Sequence, residues 1–276
     1  MLVGTPIGNL GDLAPRAVEA LAGATVIAAE DTRRTRALLS HAGVSLSGSR
    51  LVALHGHNEA EMSARLVEEM VAGARVAYVT DAGMPGISDP GERLVRGALE
   101  RGLSVEAVPG PSAALTALVI SGLPTSRFVF EGFLPRKGAE RAARLAALTA
   151  EERTAVIFES PRRLPATLAD LAAALGPDRP VAVARELTKM FETVWRGSLG
   201  KAAAGGPEPR GEQVIVIGPA GAAPEASDEQ VADALRAELD RGSSRRDAAT
   251  AVAGRLGVSR RRAYELASKI PGSGSV

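Results

Sequence analysis

The chain has 276 residues, a formal net charge of +1 and no cysteine, with 45% hydrophobic but only 3% aromatic residues. The lack of cysteine excludes disulfides, thiolate catalysis and cysteine-ligated metal sites. Because the net charge is close to zero, any surface that binds an anionic partner must be a local patch. The low aromatic content favours an α/β protein with an aliphatic core. With three histidines, no signal peptide and no run of about 18 apolar residues, we expect a cytoplasmic protein without a metal centre or a membrane span.

Residues 1–121 alternate short apolar strands with helical patterns. We predict helices at 15–21, 33–41, 60–71 and 90–101 and after the loop 109–113, and strands at residues 1–5, 24–30, 50–54, 76–80 and 104–108. Strands that alternate with helices pair in parallel, and the helices cover both faces of the sheet. This half of the chain is therefore predicted to be a parallel-sheet α/β domain.

Three of these strands end in loops that are rich in glycine and proline. The loops read GTPIGNLGDLAP after residue 3, TDAGMPGISDP after residue 79 and PGPSA after residue 108. Glycine lets another molecule approach the backbone closely, and Ser88 or Asp89 is predicted to cap a helix with Pro90 at its first position. One such loop is more often an ordinary tight turn, but three loops at the carboxyl edge of one sheet indicate a ligand site.

Charged residues follow the second predicted strand. Glu30, Asp31, Arg33 and Arg34 stand where that strand should end, beside the first glycine-rich loop. Charge at the carboxyl end of a buried strand indicates a site, and arginines there could bind phosphate. A salt-bridged cluster that caps the helix 33–41 accounts for the same residues equally well.

Residues 122–126, GLPTS, interrupt the alternation and are the predicted domain boundary. Beyond them we predict helices at 137–148 and, capped by Ser160 and Pro161, up to 175, with strands at 127–133, 154–159, 181–186, 193–199 and 213–217. The connections between the last three strands are too short for long helices, which predicts antiparallel pairs and a mixed sheet. Residues 202–210 are predicted to form a mobile loop.

The end of the chain has a different composition. Residues 219–226, PAGAAPEA, are predicted to be a linker, followed by three helices with caps at Ser227, at Ser243 or Ser244, and at Ser259. Between residues 241 and 262 there are seven arginines and one aspartate, a local charge of about +6. This helix-turn-helix-like tail is either a phosphate-facing patch or a solvated arginine face, with even odds.

Seven motifs in unbroken order carry a family resemblance. They are GTPIGNLGDL, AAEDTRRTRALL, DAGMPGISDPGERLV, VPGPSAALTAL, EGFLPRK, FESPRRL and ARELTK. Over about residues 1–220 the chain resembles the ribosomal RNA small subunit methyltransferase I family, and the helical tail also fits. That family usually has threonine where this chain has Met84, so a hydroxyl contact is expected to be absent there or replaced by backbone.

The resemblance implies a two-domain tetrapyrrole methylase-like α/β fold. We expect a parallel-sheet domain over 1–121, a mixed-sheet domain over 122–220 and a helical tail over 227–270. It also implies a homodimer that binds S-adenosylmethionine between the domains, and methyl transfer to the ribose 2′-hydroxyl of a cytidine in the decoding region of small-subunit rRNA. The expected partner is that rRNA or the assembled small subunit.

The donor has carboxylate, ammonium, ribose and adenine groups, so its site should mix backbone amides, a carboxylate and small residues. We hypothesise that the loop 81–88 wraps the methionine and ribose portion while the second domain reaches towards adenine through 157–159 and 186–187. The predicted donor-binding residues are Thr5, Pro6, Asp81, Ala82, Gly83, Pro85, Gly86, Ile87, Ser88, Ser112, Ala113, Glu159, Glu186 and Leu187.

A ribose hydroxyl needs a general base within reach. The candidates are Glu30, Asp31, His55, His57, Glu159, Glu186 and Lys189. We favour Asp31 or Glu30, because they should lie beside the first loop and next to arginines. The two histidines are separated by one residue and are more often hydrogen-bonded loop residues than catalysts.

Arginine suits RNA phosphates because its planar group donates two hydrogen bonds at once. The predicted RNA-binding residues are Arg33, Arg34, Arg36, Arg136, Lys137, Arg245, Arg246, Arg260 and Arg261, and Arg141 and Arg144 are further candidates. Aromatic residues for base stacking are scarce, which favours recognition of a folded RNA or an assembled subunit.

Three other functions compete. A methylase of a small molecule such as a tetrapyrrole is the chief alternative, although it would have little use for the EDTR cluster and the basic tail. A nucleotide-binding module is less favoured, because the chain lacks GxGxxG spacing and a Walker lysine. A transcription regulator would use the tail on DNA and the α/β core as a ligand sensor.

Overall fold

The computed structural model describes residues 1–221, 228–256 and 258–270. The chain divides into two compact units, one of Met1–Pro219 and one from Ala220 onward. Residues 222–227, which include most of the predicted linker and the expected cap Ser227, lie outside the described residues. No helix within the described ranges is long and apolar enough to span a bilayer.

A five-stranded parallel sheet forms in the first half of unit one, as predicted. Its strands are β1 (Leu2–Val3), β2 (Val26–Ala29), β3 (Arg50–Ala53), β4 (Val76–Val79) and β5 (Ala107–Val108), in the order β3-β2-β4-β1-β5. Every residue of β2 and β4 is buried, which is the pattern of parallel strands covered on both faces.

Four helices of this half pack on the two faces of the sheet. The helices are α1 (Pro15–Gly23), α2 (Thr32–His41), α3 (Glu59–Val71) and α4 (Glu92–Glu100). Leu21 and Leu39 join the core on one face, and Leu66 and Leu94 pack with Tyr78 on the other. The fifth helix, α5 (Ala113–Ile120), packs through its small and branched residues against the second sheet. It therefore joins the two sheets.

The predicted start of α4 is wrong. The helix begins at Glu92 rather than Pro90, and Ser88 has a left-handed backbone with φ of 63°. Glu59 of α3 accepts hydrogen bonds from the amides of Gly91 (2.8 Å) and Arg93 (3.2 Å). Because Glu59 satisfies these amides, Ser88 and Asp89 are free to belong to the loop.

The second sheet is mixed, as predicted. Its strands are β6 (Phe128–Phe133), β7 (Thr154–Glu159), β8 (Pro180–Arg185), β9 (Thr193–Ser198) and β10 (Gln213–Ile217), in the order β6-β7-β10-β8-β9, with only β6 and β7 parallel. The last strand inserts between β7 and β8 instead of pairing with β9. All five residues of β10 are buried, which suits a central strand, whereas β9 has only exposed and partly buried residues, which suits an edge strand.

Two local predictions in this half are wrong. Helix α7 (Leu164–Leu175) begins after a turn of residues 160–163, so Ser160 and Pro161 do not cap it. A short helix, α8 (Leu199–Ala203), occupies the start of the predicted loop 202–210. Helix α6 (Gly138–Thr149) lies close to its predicted range. Arg141 on α6 is buried against Asp170 (Nη2 to Oδ2 2.7 Å) and Thr167, so it stabilises the fold and cannot reach RNA.

The described residues of unit two form three helices, α9 (Asp228–Asp240), α10 (Arg245–Leu256) and α11 (Arg260–Lys269). Val231, Leu235 and Val252 lie in its core. The expected cap at Ser259 is confirmed by its side chain accepting from the Arg262 amide at 3.2 Å, and Ser244 accepts from the Asp247 amide at 3.2 Å. The predicted helical tail is thus a small bundle with its own core.

Candidate donor cavity and adjoining groove

The first two glycine-rich loops are bound to each other. Thr5 and Gly83 exchange two backbone hydrogen bonds of 2.9 and 3.1 Å, and the buried Thr5 hydroxyl donates to the Thr80 carbonyl at 3.2 Å. Gly83 has φ of 79°, which glycine adopts without strain. This isolated antiparallel bridge lies just beyond the parallel strands β1 and β4 and holds the two loops together at the carboxyl edge.

The third loop approaches through a contact between two glycines. A Cβ on Gly110 would lie 2.8 Å from the Cα and carbonyl carbon of Gly4, and a Cβ on Gly4 would lie 2.7 Å from the Met84 sulfur. Neither position has room for a methyl group. The three loops therefore converge as the sequence predicted, and Met84 places a thioether at the point where they meet.

A cavity of about 350 Å³ lies between these loops and the second sheet. Eight predicted donor-binding residues line it: Ala82, Gly83, Ile87, Ser88, Ser112, Ala113, Glu159 and Leu187. Six others do not: Thr5, Pro6, Asp81, Pro85, Gly86 and Glu186. Thr5 instead holds the loops together, and the Glu186 carboxylate accepts from the Glu212 amide and from Lys189.

Ten further residues line the cavity. Met84 and Phe158 lie inside the predicted ranges 81–88 and 157–159, whereas eight residues were not predicted, namely Ile7, Asp89, Phe133, Ser160, Pro161, Glu212, Gln213 and Val214. Phe133 ends β6, which is parallel to β7, a position that the sequence could have indicated. Gln213 and its neighbours reach the cavity because β10 inserts beside β7, which local sequence does not signal. Ile157, expected near the donor, faces the opposite core.

Asp89 is the ionisable side chain that the first domain contributes to the cavity wall. Burial, and then repulsion from Glu30, raise its pKa to about 6. The buried hydroxyl of Thr80 lies against this carboxyl group and offsets part of the rise in its pKa. A carboxyl group with a raised pKa that lines a cavity is typical of a site that moves a proton.

Glu30 and Asp31 do not line the cavity. Glu30 Oε2 accepts from the Asp81 amide, and Asp81 Oδ1 accepts from the Asp31 amide, both at 3.2 Å. Asp31 caps α2 and binds Arg33, and these hydrogen bonds hold the pKa of Asp31 well below its usual range. This cluster joins β2 to the second loop, and it places the negative charge of Glu30 close to Asp89.

On the side of the cavity that the second sheet forms, one buried hydrogen-bond acceptor has no donor in the described part of the chain. Gln213 is buried, and its Nε2 donates to the carbonyl of Glu208 at 3.1 Å, which leaves Oε1 without a partner among the described residues. An unpaired buried amide oxygen is costly. Together with the apolar walls and the small residues of the loops, it fits a ligand with an aromatic amine such as adenine.

The comparisons with known proteins agree with this architecture. The family of Tetrapyrrole (Corrin/Porphyrin) Methylases matches residues 1–203. The ribosomal RNA small subunit methyltransferase I of Synechocystis sp. is 45% identical over 99% of this chain and 98% of its own length. The protein of the same name from Mycobacterium tuberculosis is 52% identical over 82% of this chain and 79% of its own. The chain belongs to the ribosomal RNA small subunit methyltransferase I family.

Solved structures show how this family shares its fold with other methylases. The methyltransferase CobJ superposes with a TM-score of 0.61 at 22% identity, covering 79% of this chain and 92% of its own. A uroporphyrin-III C-methyltransferase from Thermus thermophilus, complexed with S-adenosylhomocysteine, superposes with a TM-score of 0.54 at 23% identity, covering 78% and 95%. At these identities the likeness establishes the fold alone.

The basic residues predicted to bind RNA differ in whether their side chains are already paired with other groups of the protein. Arg33 and Arg34 pair with Asp31 (2.8 Å) and Asp81 (3.3 Å), and Arg144 pairs with Glu131. Four arginines between residues 241 and 262 also pair with carboxylates: Arg241, Arg255, Arg261 and Arg262. Arg245 donates to the Ile270 carbonyl.

Within the described parts of the chain, the predicted RNA-binding side chains without a bonded partner are Arg36, Arg136, Lys137, Arg246 and Arg260. The formal charge of the tail therefore overstates what this member of the family can offer to a phosphate. Arg136 and Lys137 stand apart from the others, because they follow a strand that ends at the cavity.

Proposed function

We propose that this protein transfers a methyl group from S-adenosylmethionine to the ribose 2′-hydroxyl of a cytidine in the decoding region of small-subunit rRNA. The observation that carries the proposal is a cavity lined by three converging loops and the second sheet, in a chain that aligns over 99% of its length with a relative named ribosomal RNA small subunit methyltransferase I. The reaction would take place in the cytoplasm.

The cofactor supplies an electrophilic methyl group on a sulfonium when bound. The residues of the chain would contribute by holding the donor and the acceptor in position. Gly83, Ser88, Ser112 and Ala113 would hold the amino-acid and ribose portion, and Gln213 Oε1 would accept from the adenine amine. Holding the methyl carbon and the hydroxyl oxygen in attack geometry accounts for much of the rate that such a site can achieve.

The hydroxyl proton needs an acceptor, and the carboxylates Glu30, Asp31 and Asp89 are the candidates. Asp89 is favoured, because it lines the cavity and its raised pKa of about 6 makes it a stronger base than an ordinary aspartate. Asp31 is committed to Arg33. Glu30 would act on Asp89 through its charge.

The Gly83→Val variant is expected to weaken donor binding at least tenfold. A Cβ at this position would contact Ile7 and the Pro111 carbonyl at 3.5 Å, and the added methyl groups would extend into the cavity. Calorimetric titration with S-adenosylmethionine gives the affinity. Gly43→Val is the matched control, since Gly43 has a similar φ of 69° but open space around it. Equal donor affinity in wild type and Gly83→Val would contradict this donor site.

One assay separates the competing functions. The protein would be incubated with labelled S-adenosylmethionine and, in parallel, isolated small subunits, free small-subunit rRNA or a porphyrin precursor. We expect label in the RNA of the first or second reaction, and mapping of the product would locate it on a ribose. Label in the porphyrin alone would establish the alternative, a small-molecule methylase.

We also infer a homodimer, as the family resemblance implied. Exposed apolar side chains support it: Leu115 and Val119 lie one turn apart on α5, and Met190 and Phe191 are 90% and 70% exposed. Large exposed apolar groups of this kind favour an interface between subunits. Sedimentation equilibrium would give the mass of the assembly directly.

A further inference from the structure

A second concave surface adjoins the donor cavity. This basic groove, of about 720 Å³, lies between the loop after β6 and the loop after β7, and it shares Phe133, Glu159 and Ser160 with the cavity. Because β6 and β7 are parallel, both loops leave the same edge of the second sheet. A ligand in the groove would therefore border on a donor in the cavity.

The floor of the groove is fixed by a buried ion pair. The Glu159 side chain is fully buried, accepts from Ser160 (2.8 Å) and Thr167 (2.6 Å), and pairs with Arg163 at 3.3 Å. Arg163 in turn donates to the Leu134 carbonyl at 2.7 Å. These bonds join the two loops, and the charges of Glu159 and Arg163 compensate each other.

Two arginines on the walls remain uncompensated. Arg136 and Arg162 line the groove and are exposed, and neither has a hydrogen bond or ion pair to any described residue. Lys137 follows Arg136 and is likewise exposed and unpaired. The groove therefore presents at least two unpaired positive charges to an anionic ligand, whereas the arginines of the EDTR cluster are largely paired.

An aromatic ring stands at the junction of groove and cavity. Phe133 is 54% exposed although it contacts Phe158, with ring centroids 5.7 Å apart. Exposed rings beside unpaired arginines are the combination that binds unpaired nucleotides, with the base stacked and the phosphates paired. A double-stranded segment would leave the ring unused.

We infer that the basic groove binds the acceptor strand, with Arg136 and Arg162 on phosphates that flank the target nucleotide and Phe133 stacked on an unpaired base. This inference rests on the proposed function. It adds Arg162 and Phe133 to the RNA-binding residues, and it explains how a chain with few aromatic residues recognises one nucleotide splayed out from a folded RNA.

The test compares four variants with wild type in methyl transfer to isolated small subunits over a range of salt concentrations. Arg136→Glu and Arg162→Glu are each expected to raise KM for subunits about tenfold and to reduce the logarithmic salt slope by about one. Phe133→Leu should raise KM to a similar extent, and Phe133→Tyr should restore it. Donor affinity from calorimetry should stay within twofold of wild type in Arg136→Glu and Arg162→Glu, because neither arginine lines the donor cavity.

Lys201→Glu is the charge-matched control. Lys201 is exposed on α8 and has no hydrogen bond or ion pair to any described residue. Helix α8 follows the end of β9, where Ser198 pairs with Pro180 at the start of β8. Lys201 therefore lies at the opposite end of the sheet from the groove. If Arg136→Glu and Arg162→Glu match this control in KM and salt slope, the groove assignment is wrong. A wild-type protein that methylates neither subunits nor free rRNA would overturn the proposed function itself.

Discussion

Replacing Asp89 by asparagine is expected to lower the turnover number for methyl transfer about 100-fold or more, the usual cost of losing a general base. Asp89 lines the donor cavity, and at neutral pH its carboxylate is ionised with a pKa of about 6. The measurement is turnover with saturating donor and small subunits. Near-wild-type turnover in Asp89→Asn would exclude Asp89 as the base.

The dependence of the turnover number on pH identifies the residue that acts as general base. Wild-type turnover should fall as the pH decreases through about 6, where Asp89 becomes protonated. Glu30→Gln should move this limb to lower pH, because it removes a negative charge that raises the pKa of Asp89. Unchanged turnover in both Glu30→Gln and Asp31→Asn would eliminate those two carboxylates as the base.

Stability should change in the opposite direction to activity. The folded-state pKa of Asp89 is raised above that of the unfolded chain, so ionising it opposes folding, and this cost grows from about pH 4 and is complete above about pH 6. Because Asp89 is only partly buried, solvent screening reduces this cost, and Asp89→Asn should be about 1–2 kcal/mol more stable than wild type at pH 8. The two proteins should be equally stable below pH 4. Urea unfolding at both pH values tests this, and a less stable variant at pH 8 would indicate a structural role.

The second large effect is expected from Gly110→Ala. The new methyl group would lie 2.8 Å from backbone atoms of Gly4, so β1 and β5 would have to separate where all three loops meet. Overpacking of this kind costs about 1–3 kcal/mol, and donor affinity should fall with it, since Ser112 and Ala113 follow directly. The free energy of unfolding in urea, at constant m-value, is the measurement.

Gly23→Ala is the control for this glycine. Gly23 ends α1 with open space around it, so alanine should be neutral or slightly stabilising through its higher helix propensity. If Gly110→Ala were as stable as Gly23→Ala, the close approach of the two glycine loops would not be a constraint on the fold.

The glycine-rich loops illustrate what can be inferred from local sequence. Strand, loop and helix patterns repeat along residues 1–121, and parallel strands necessarily end at one edge. That geometry was enough to predict that the loops containing Thr5, Gly83 and Ser112 converge. The mixed second sheet followed from connections too short to hold helices, and the order of the motifs was enough to identify the family.

Other features of the site depend on contacts between residues far apart in sequence, and only the tertiary structure determined them. Glu59 takes over the capping of α4 and releases Asp89 to the cavity, where burial, and then repulsion from Glu30, raise its pKa. The insertion of β10 beside β7 brings Gln213 to the donor, and the Glu159–Arg163 pair leaves Arg162 free on the groove. Sequence periodicity fixes which faces are buried, but pairing partners and charge environments are properties of the folded chain.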